Sequence, residues 1–363
     1  METIVLLFGG NSVEHEISIL TFKQVYQAIN KDKYNVLSIY VSKDNMFYLI
    51  KDLNFKNLND LQKYPLKLFK EGNKQYFKTK FKKYYFDLVF ILMHGKGVED
   101  GTINGYFDFL DIPYVANNLL ASAVGMDKYL SKIIAKQNKI NVLDGKIINI
   151  NDIDLDDFIN SLNDFPYIFK ANSLGSSIGV YKVNNIDDAY EALNNIATYE
   201  DYVLIEKCLD DFKEYNLSLF KSKDELIISS IEEINYKNIL SYNDKYANKG
   251  LENLKRVISP NIDNKLKNKI INYSKKLYSL LKCDSVVRID YLYDNTNSEL
   301  YFNEINMIPG SLSFYLYEDK NILFDKLIDL LIEKAKRNRY LKISKVNILG
   351  DNILEGLVKN IKK

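Results

Sequence analysis

The chain has 363 residues, of which 47% are hydrophobic, and its 49 Lys and Arg residues nearly balance its 48 Asp and Glu residues. This length predicts two or three domains, and the balanced charge argues against a protein that binds nucleic acid by neutralising phosphates. No segment approaches the roughly 18 to 20 apolar residues that cross a bilayer. The first residues lack the basic start of a signal peptide, so we expect a cytoplasmic protein without a membrane partner.

The predicted elements alternate between strands and helices. A buried-strand pattern at 4–8 is followed by a helical pattern at 17–29 and a second strand at 35–41, an order typical of a parallel α/β sheet. Residues 86–93 are predicted to form a longer apolar strand, and 44–84 to be irregular or meandering. Further along the chain we predict one helix over 119–137, strands over 167–170 and 203–207, and helices over 262–281 and 322–337.

The most informative segments lie near the C-terminal end of the chain. Arg288 and Asp290 are two residues apart, as are Glu304 and Asn306, and in extended chain this spacing puts both members of each pair on one face. The turn formers at 294–297 predict an antiparallel hairpin that brings the two pairs together. Two carboxylates and an amide oxygen suit Mg²⁺, and a neighbouring arginine suits phosphoryl or acyl-phosphate chemistry. The alternative interpretation is a surface hairpin with solvated charges.

Small residues follow the strand that ends at Lys170. Gly175, Ser176, Ser177 and Gly179 would let backbone N–H groups close over phosphate oxygens, and Lys170 would add a positive charge. This pattern is neither a Walker A motif nor a dinucleotide fingerprint, so a mobile surface turn is an equally good interpretation.

Three other positions carry weaker signals. Glu206 and Lys207 end a strand and could present an adenine-binding edge, although an ordinary strand end is the simpler interpretation. His15 and His94 each follow a predicted strand, at the edge where open α/β sheets bind ligands. A histidine at such a place more often positions a ligand by hydrogen bonding than acts as a base.

Eight motifs, taken in order, resemble those of the D-alanine–D-alanine ligases, which belong to the ATP-grasp superfamily. The match runs from about residue 3 to residue 335, and eight motifs in order are far more specific than any one of them. The motifs are Gly9-Gly10-x-Ser12-x-Glu14-His15-Glu16, His94-Gly95-x-x-x-Glu99-Asp100-Gly101, Met126-Asp127-Lys128, Lys170 with Gly175-Ser176-Ser177-x-Gly179-Val180, Glu206-Lys207, Tyr242 with Lys245-Tyr246, Arg288-x-Asp290, and Asn303-Glu304-x-Asn306-x-x-Pro309-Gly310.

The resemblance implies an ATP-grasp fold of three α/β domains, at about 1–113, 114–208 and 209–340, with ATP between the central and C-terminal domains. It assigns no role to a tail at 341–363. It also implies a cytoplasmic homodimer that joins two D-alanines through an acyl phosphate for peptidoglycan synthesis. Two Mg²⁺ or Mn²⁺ ions would be held by Asp290, Glu304 and Asn306. The residues that match the ATP site of the family are Lys128, Lys170, Ser176, Ser177, Glu206, Lys207, Leu209, Glu214 and Lys245.

The same resemblance implies roles in substrate binding and catalysis. Glu14 matches the residue that orients the first D-alanine through its ammonium group, and His94 lines the same subsite. Arg288 and the backbone N–H of Gly310 match the pair that stabilises the tetrahedral intermediate. Ser176 and Tyr246 match members of a hydrogen-bonded link with Glu14 that helps a loop at about 236–256 close the site. Tyr315 and Leu316 match the subsite of the second substrate.

Three positions depart from the family pattern. Ala171 replaces the proline that usually follows the lysine of the central strand, and Ile239-Leu240 replace an aromatic pair of the closing loop. Tyr315 aligns with a serine that binds the carboxylate of the second substrate. The acceptor is therefore open, and a ligase for D-serine or another amino acid is the nearest alternative. A non-catalytic nucleotide-binding protein is the alternative from another class, and it would not need Arg288 together with all three metal ligands.

Overall fold

The computed structural model describes residues 1–53, 57–235 and 255–343, and its strands form three sheets. Among these residues, no helix is both long and apolar enough to cross a membrane. The strands of the first sheet lie within residues 2–115, those of the second within 145–207 and those of the third within 212–306. The predicted domain limits at 113, 208 and 340 remain a prediction.

The first sheet has a parallel centre and an antiparallel extension. Its strand order is β6-β5-β4-β3-β2-β1-β7-β8, and β1 pairs in parallel with both β2 and β7. All five residues from Ile4 to Phe8 are buried, as expected for a parallel strand covered on both faces. The elements are β1 (Glu2–Gly9), α1 (His15–Ala28), β2 (Tyr34–Val41), β3 (Phe47–Leu49), β4 (Pro65–Glu71), β5 (Lys74–Lys78), β6 (Lys83–Phe86), β7 (Leu88–Ile91), α2 (Thr102–Phe109) and β8 (Tyr114–Val115).

Two predictions for this region were wrong. Residues 44–84, predicted to be irregular or meandering, contain the regular strands β3, β4 and β5 and the start of β6, which join antiparallel to one side of the sheet. These strands are short and expose most of their lysines, so their periodicity is weak. The single strand predicted at 86–93 is also divided, because β6 ends at Phe86 and β7 begins at Leu88.

The single helix predicted over 119–137 is broken at Asp127. Asp127 has a φ of −79° and a ψ of 103°, outside the helical range, and its side chain accepts a hydrogen bond from the backbone N–H of Leu130. It therefore caps a new helix, as aspartate commonly does. The break makes Lys128 the first residue of that helix. The two helices are α3 (Leu119–Met126) and α4 (Lys128–Gln137).

The second sheet is antiparallel and lies between the other two in sequence. Its order is β11-β10-β12-β9, and α5 and α6 cover it. The strands predicted at 167–170 and 203–207 are confirmed as β10 and β12. The elements are β9 (Gly145–Asn149), α5 (Leu155–Asn160), β10 (Tyr167–Ala171), β11 (Val180–Val183), α6 (Ile186–Ala197) and β12 (Tyr202–Lys207).

The third sheet has the order β15-β14-β13-β16-β17, and its last two strands confirm the predicted hairpin. Helix α7 packs on this sheet, whereas α8 returns to the first sheet, where Leu327, Ile328 and Leu331 join its core. The elements are β13 (Phe212–Ser222), β14 (Glu225–Asn235), β15 (Lys255–Ile258), α7 (Asn264–Leu280), β16 (Val287–Asp294), β17 (Glu299–Asn306), a 3-10 helix (Gly310–Leu316) and α8 (Phe324–Ile343).

Candidate active site

Two lysines of the central region face the third sheet across a cleft. Lys128 begins α4, and its Nζ lies 3.5 Å from Oε2 of Glu304 on β17. Lys170 lies on β10, and its Nζ donates to Oδ1 of Asn303 over 3.0 Å and to Oε2 of Glu206 over 2.7 Å. Lys128, predicted to hold a phosphate, therefore meets a carboxylate predicted to hold a metal ion, and Lys170 meets the residue next to that carboxylate in sequence.

Glu206 is buried between two lysines. Its Oε2 accepts from Lys170, and its Oε1 accepts from Lys132 over 2.5 Å. Burial alone would raise the pKa of Glu206, but the charges of Lys132 and then Lys170 outweigh it and hold this pKa at about 2. Burial lowers the pKa of Lys132 to about 8, although Glu206 opposes the shift. Lys132 was not predicted from the sequence, where its signal is its place one helical turn after Lys128.

One cavity collects most of the predicted nucleotide contacts. Ser177 and Lys170 come from the second sheet region, Glu214 comes from β13, and apolar side chains such as Phe212 and Leu292 lie beside them. A cavity that combines apolar side chains with several charged groups of both signs suits a nucleotide, which has an apolar base and charged phosphates. Predicted residues that line this cavity are Lys128, Lys170, Ser177, Glu206, Lys207, Leu209, Glu214, Asp290 and Glu304.

The predicted metal ligands lie side by side on the hairpin. Asp290 faces Glu304 across β16 and β17, and Arg288 faces Asn306. Arg288 holds Asp290 through two hydrogen bonds of 2.7 Å, and the Asn306 amide donates to Asp290 over 3.0 Å. The described residues contain no cluster of three or more His, Cys, Asp or Glu side chains placed to hold a metal ion. The predicted set instead has two carboxylates and one amide, and these hard oxygen donors fit Mg²⁺ or Mn²⁺.

Arg288 lies on β16 of this hairpin and is partly buried, and its charge is strongly stabilised. Burial opposes the charged form, but Asp290 outweighs burial and raises the pKa of Arg288 well above its usual value. The Arg288 guanidinium and the Asp290 carboxylate form a bidentate pair, the strongest arrangement of these two side chains.

The predicted subsite of the first substrate lies where β1 and β7 end. Glu14 is buried, and the Ser176 hydroxyl donates to its Oε1, while its Oε2 has no hydrogen-bond partner among the described residues. A Cβ on Gly175 would lie 2.8 Å from Oε2 of Glu14, so this close approach needs glycine. Burial, followed by the charge of Glu99, raises the pKa of Glu14 to about 7, against the opposing effects of Ser176 and His94.

The two histidines lie in different environments. Nε2 of His94 is 2.9 Å from the Thr21 hydroxyl, and its Nδ1 is 3.7 Å from Oε1 of Glu99. Both nitrogens thus have polar neighbours that fix the ring, which fits a positioning role. His15 instead contacts the carbonyl of Gly10 and the hydroxyl of Tyr40 within the core.

The segment after β17 carries the remaining predicted residues. A Cβ on Gly310 would meet no atom within 4 Å, so its backbone faces open space. Leu316 is fully buried, which leaves its side chain no surface for a substrate. Tyr315 donates its hydroxyl proton to Oε2 of Glu232 over 3.1 Å, and Glu232 was not predicted from the sequence. Lys245 and Tyr246 lie outside the described residues.

Sequence comparison decides the family. The model for the D-ala D-ala ligase N-terminus matches residues 3–117, and the model for the D-ala D-ala ligase C-terminus matches residues 134–333. The chain belongs to the D-alanine–D-alanine ligase family. The predicted resemblance is confirmed.

Individual members of the family match this chain over nearly its whole length. A D-alanine–D-alanine ligase of Thermosipho melanesiensis is 36% identical over 364 residues, which cover 98% of this chain and 99% of the relative. The structure of the D-alanine–D-alanine ligase from Coxiella burnetii has a TM-score of 0.82 at 23% identity, covering 94% of this chain and 96% of that one, and shows the same fold. The structure of the VanG D-Ala:D-Ser ligase from Enterococcus faecalis has a TM-score of 0.77 at 26% identity, covering 92% of this chain and 99% of that one. The predicted ATP-grasp fold is confirmed.

Proposed function

We propose that this chain joins two D-alanines at the expense of ATP, giving D-alanyl-D-alanine, ADP and phosphate for peptidoglycan synthesis. The observation that carries the proposal is the meeting of Lys128 and Glu304 across the cleft, with a separation of 3.5 Å between Nζ and Oε2. It brings a phosphate-binding cation to a metal-binding carboxylate. A protein that only bound nucleotide would not need Arg288 and a carboxylate pair beside that cation.

The first half of the reaction would use the subsite of Glu14. The Glu14 carboxylate pairs with the ammonium group of the first D-alanine, which turns the substrate carboxylate towards the γ-phosphate of ATP. That carboxylate attacks the phosphorus, ADP leaves, and an acyl phosphate forms. Lys128 and Lys170 neutralise the phosphate oxygens. Asp290, Glu304 and Asn306 would hold two Mg²⁺ or Mn²⁺ ions, which supply further charge neutralisation on the phosphates when bound.

The second half would use the hairpin and the segment that follows it. The neutral amine of the second D-alanine attacks the acyl carbon, and the developing oxyanion accepts hydrogen bonds from Arg288 and the N–H of Gly310. One such donor contributes about 3 to 4 kcal/mol in comparable sites. Phosphate then leaves and takes up the proton that the amine nitrogen loses, and the dipeptide remains. The hydrogen bond from Ser176 to Glu14 supports a link between the two halves of the site, in which Tyr246 remains a predicted member.

A homodimer in the cytoplasm is also part of the proposal. It rests on the family resemblance. Light scattering of the purified protein over a range of concentrations measures the assembly directly, and a mass of one chain at all concentrations would contradict the dimer.

The test is ATP turnover by the purified protein over a panel of D- and L-amino acids, supplied singly and in pairs. We expect phosphate release with D-alanine alone, with one dipeptide formed for each phosphate. Phosphate release that needs D-serine as the second amino acid would favour the other acceptor, and binding of ATP without any turnover would contradict a ligase.

A further inference from the structure

Positive charge is concentrated around β5 and β6, at one edge of the first sheet. Residues 63–83 contain eight lysines and one acidic residue, a net charge of +7 in a chain whose total is +1. The remaining residues are therefore net negative, so the lysine content of the whole chain does not account for this cluster. β6 is the last strand of the sheet, which puts the cluster at its edge.

Three of these lysines follow one another across neighbouring strands. Lys67 on β4 lies opposite Lys78 on β5, which lies opposite Lys83 on β6. Like charges in directly opposed positions destabilise a sheet. Lys83 reaches Glu71 over 3.5 Å, whereas Lys67 and Lys78 form no ion pair with the described residues. The described part of the chain thus leaves most of this row of cations uncompensated.

An exposed aromatic ring lies at the apex of the same hairpin. The backbone N–H of Thr79 donates to the carbonyl of Lys82 over 3.0 Å, and the N–H of Lys82 donates to the Thr79 hydroxyl over 3.1 Å. This closed turn has Lys80 and Phe81 at its apex. Phe81 is 88% exposed, the highest value among the large hydrophobic residues described. Lys80 and Lys82, on either side of it, form no ion pair with the described residues.

The aromatic rings behind this apex do not form an open platform for nucleic-acid bases. Phe69, Tyr76 and Tyr85 lie in a row, with ring centroids 5.4 and 5.2 Å apart. Tyr76, in the middle, is only 2% exposed, and Nζ of Lys83 lies 4.1 Å from the centre of its ring. Single-stranded nucleic acids stack on exposed aromatic faces along a groove. The most exposed ring here is instead Phe81, at the apex of a turn.

We propose that the basic tip, residues 78–83, is a peripheral binding surface for a membrane that contains anionic phospholipids. Phe81 enters the boundary between headgroups and acyl chains, and the four lysines of the tip bind the headgroup phosphates. A cluster of about four or more lysines attracts such a membrane, and an apolar side chain adds a second contact. A second copy of this chain would not fit the tip in a symmetric pairing, because the lysines of the two tips would repel each other.

The inference goes beyond the proposed function and does not depend on it. It departs from the expectation of a protein without a membrane partner, which concerned spanning segments and a signal peptide. A peripheral contact needs neither of them.

Co-sedimentation with vesicles measures the contact. Wild type should sediment with vesicles of equal parts phosphatidylglycerol and phosphatidylcholine, and stay in solution with phosphatidylcholine alone. Raising the salt from about 0.1 M to about 1 M shortens the Debye length from roughly 10 Å to roughly 3 Å and should release most of the protein. Lys80→Glu combined with Lys82→Glu should lower the partition coefficient about twentyfold or more, because each lysine near an anionic surface contributes about fivefold.

Matched variants separate the tip from net charge and from exposure alone. Lys267→Glu combined with Lys275→Glu changes two exposed lysines of α7 and alters the net charge equally, so binding should stay within about twofold of wild type. Phe81→Ser should weaken binding about tenfold. Phe109→Ser is its control, because Phe109 is 87% exposed on α2 within an acidic segment, 108–111. The melting temperature of every variant reports on folding.

A fluorescent substitution locates the contact. The chain has no tryptophan, so Phe81→Trp introduces its only indole. The emission of this indole should shift to shorter wavelength when phosphatidylglycerol vesicles are added, and brominated acyl chains should quench it. Phe109→Trp should show neither change.

Each outcome decides for or against the basic tip. Failure of wild type to sediment, equal losses in the tip and control variants, or an unchanged emission of Phe81→Trp would overturn the inference. Tip-dependent binding of single-stranded poly(U) RNA without vesicle binding would assign the surface to nucleic acid instead. A protein that binds vesicles through the tip but forms no dipeptide would contradict only the proposed function.

Discussion

The Ser176 hydroxyl donates a hydrogen bond to the Glu14 carboxylate, although 162 residues separate them in sequence. The contact joins the ligand-binding edge of the first sheet to the glycine-containing turn of the second. It also leaves Oε2 of Glu14 without a hydrogen-bond partner among the described residues, beside Gly175. A buried carboxylate oxygen in that position is suited to receive an ammonium group from a substrate.

Ionisation of Glu14 should control binding of the first D-alanine. Burial and then Glu99 raise its pKa to about 7 from 4.5, while Ser176, His94 and Lys128 act in the opposite direction. Below about pH 7, Glu14 is therefore mostly protonated in the folded free enzyme. The raised pKa stabilises the fold at low pH, and this stabilisation is lost as pH rises through about 7. The substrate ammonium needs the ionised form. We expect the KM of the first D-alanine to fall as pH increases from 6 to 8.

Glu14→Gln provides the control for this titration. The variant keeps the shape of the side chain and cannot ionise, so its KM should be high and nearly independent of pH over the same range. A pH profile that is identical in wild type and Glu14→Gln would assign the titration to another group.

Removing the charge of Glu304 should abolish ligation while the protein stays folded. Glu304→Gln keeps the size of the side chain but removes a hard anionic donor that both proposed ions would share. Dipeptide formation at several Mg²⁺ concentrations measures the effect. Glu299→Gln is the matched control, because Glu299 lies on the same strand and pairs with Lys269 away from the cleft. Near-normal turnover of Glu304→Gln at saturating Mg²⁺ would contradict the metal assignment.

Arg288→Met should reduce kcat by two or more orders of magnitude, about 3 kcal/mol, with a smaller effect on ATP affinity. The reason is that the arginine would contact the oxyanion only when negative charge develops on it. Single-turnover phosphate release and ATP binding are the measurements, with Arg337→Met, whose ion pair with Asp224 lies on the surface, as the control. Lost ATP binding with turnover retained at saturation would make Arg288 a nucleotide contact.

The sequence predicted the hairpin well because its information is local. Arg288, Asp290, Glu304 and Asn306 alternate with apolar residues, and a turn lies between the strands, so spacing alone gives the common face. The break at Asp127 was missed because apolar periodicity continues through both α3 and α4. Asp127 is a residue type that commonly caps a helix, but the apolar periodicity on both sides of it predicts one continuous helix.

The contacts missed in the site are long-range. Lys132 and Glu206 are 74 residues apart, and Glu232 and Tyr315 are 83 residues apart. Each pair depends on how a helix or a 3-10 segment packs against a sheet, which spacing within one element does not determine. Glu232 is followed by Glu233, and only the strand register shows which of the two carboxylates faces the site.

Lys132 should prove necessary for nucleotide binding although it lies behind the predicted ATP contacts. Glu206 is shared by Lys132 and Lys170, and Lys170 is the predicted phosphate ligand. In Lys132→Met, Lys170 becomes the only cation among the described residues that pairs with the buried Glu206, so it is less available to phosphate. We expect ATP affinity to fall about tenfold or more, as for other contacts to charged groups, and the free energy of unfolding to fall by up to roughly 3 to 5 kcal/mol.

Two further variants test this explanation. Lys136→Met lies one turn along the same helix, where Lys136 pairs with Asp144 at the exposed surface, and it should behave as wild type. Glu206→Gln added to Lys132→Met removes the uncompensated charge, so the double variant should regain part of the lost stability. In the double variant Lys170 no longer pairs with a charged Glu206, so ATP affinity should also recover partly. The recovery is judged against the loss of ATP affinity in the Glu206→Gln variant alone. If the double variant is less stable than Lys132→Met, burial of an uncompensated carboxylate is not the cause of the instability, and Lys132 stabilises the protein by packing alone.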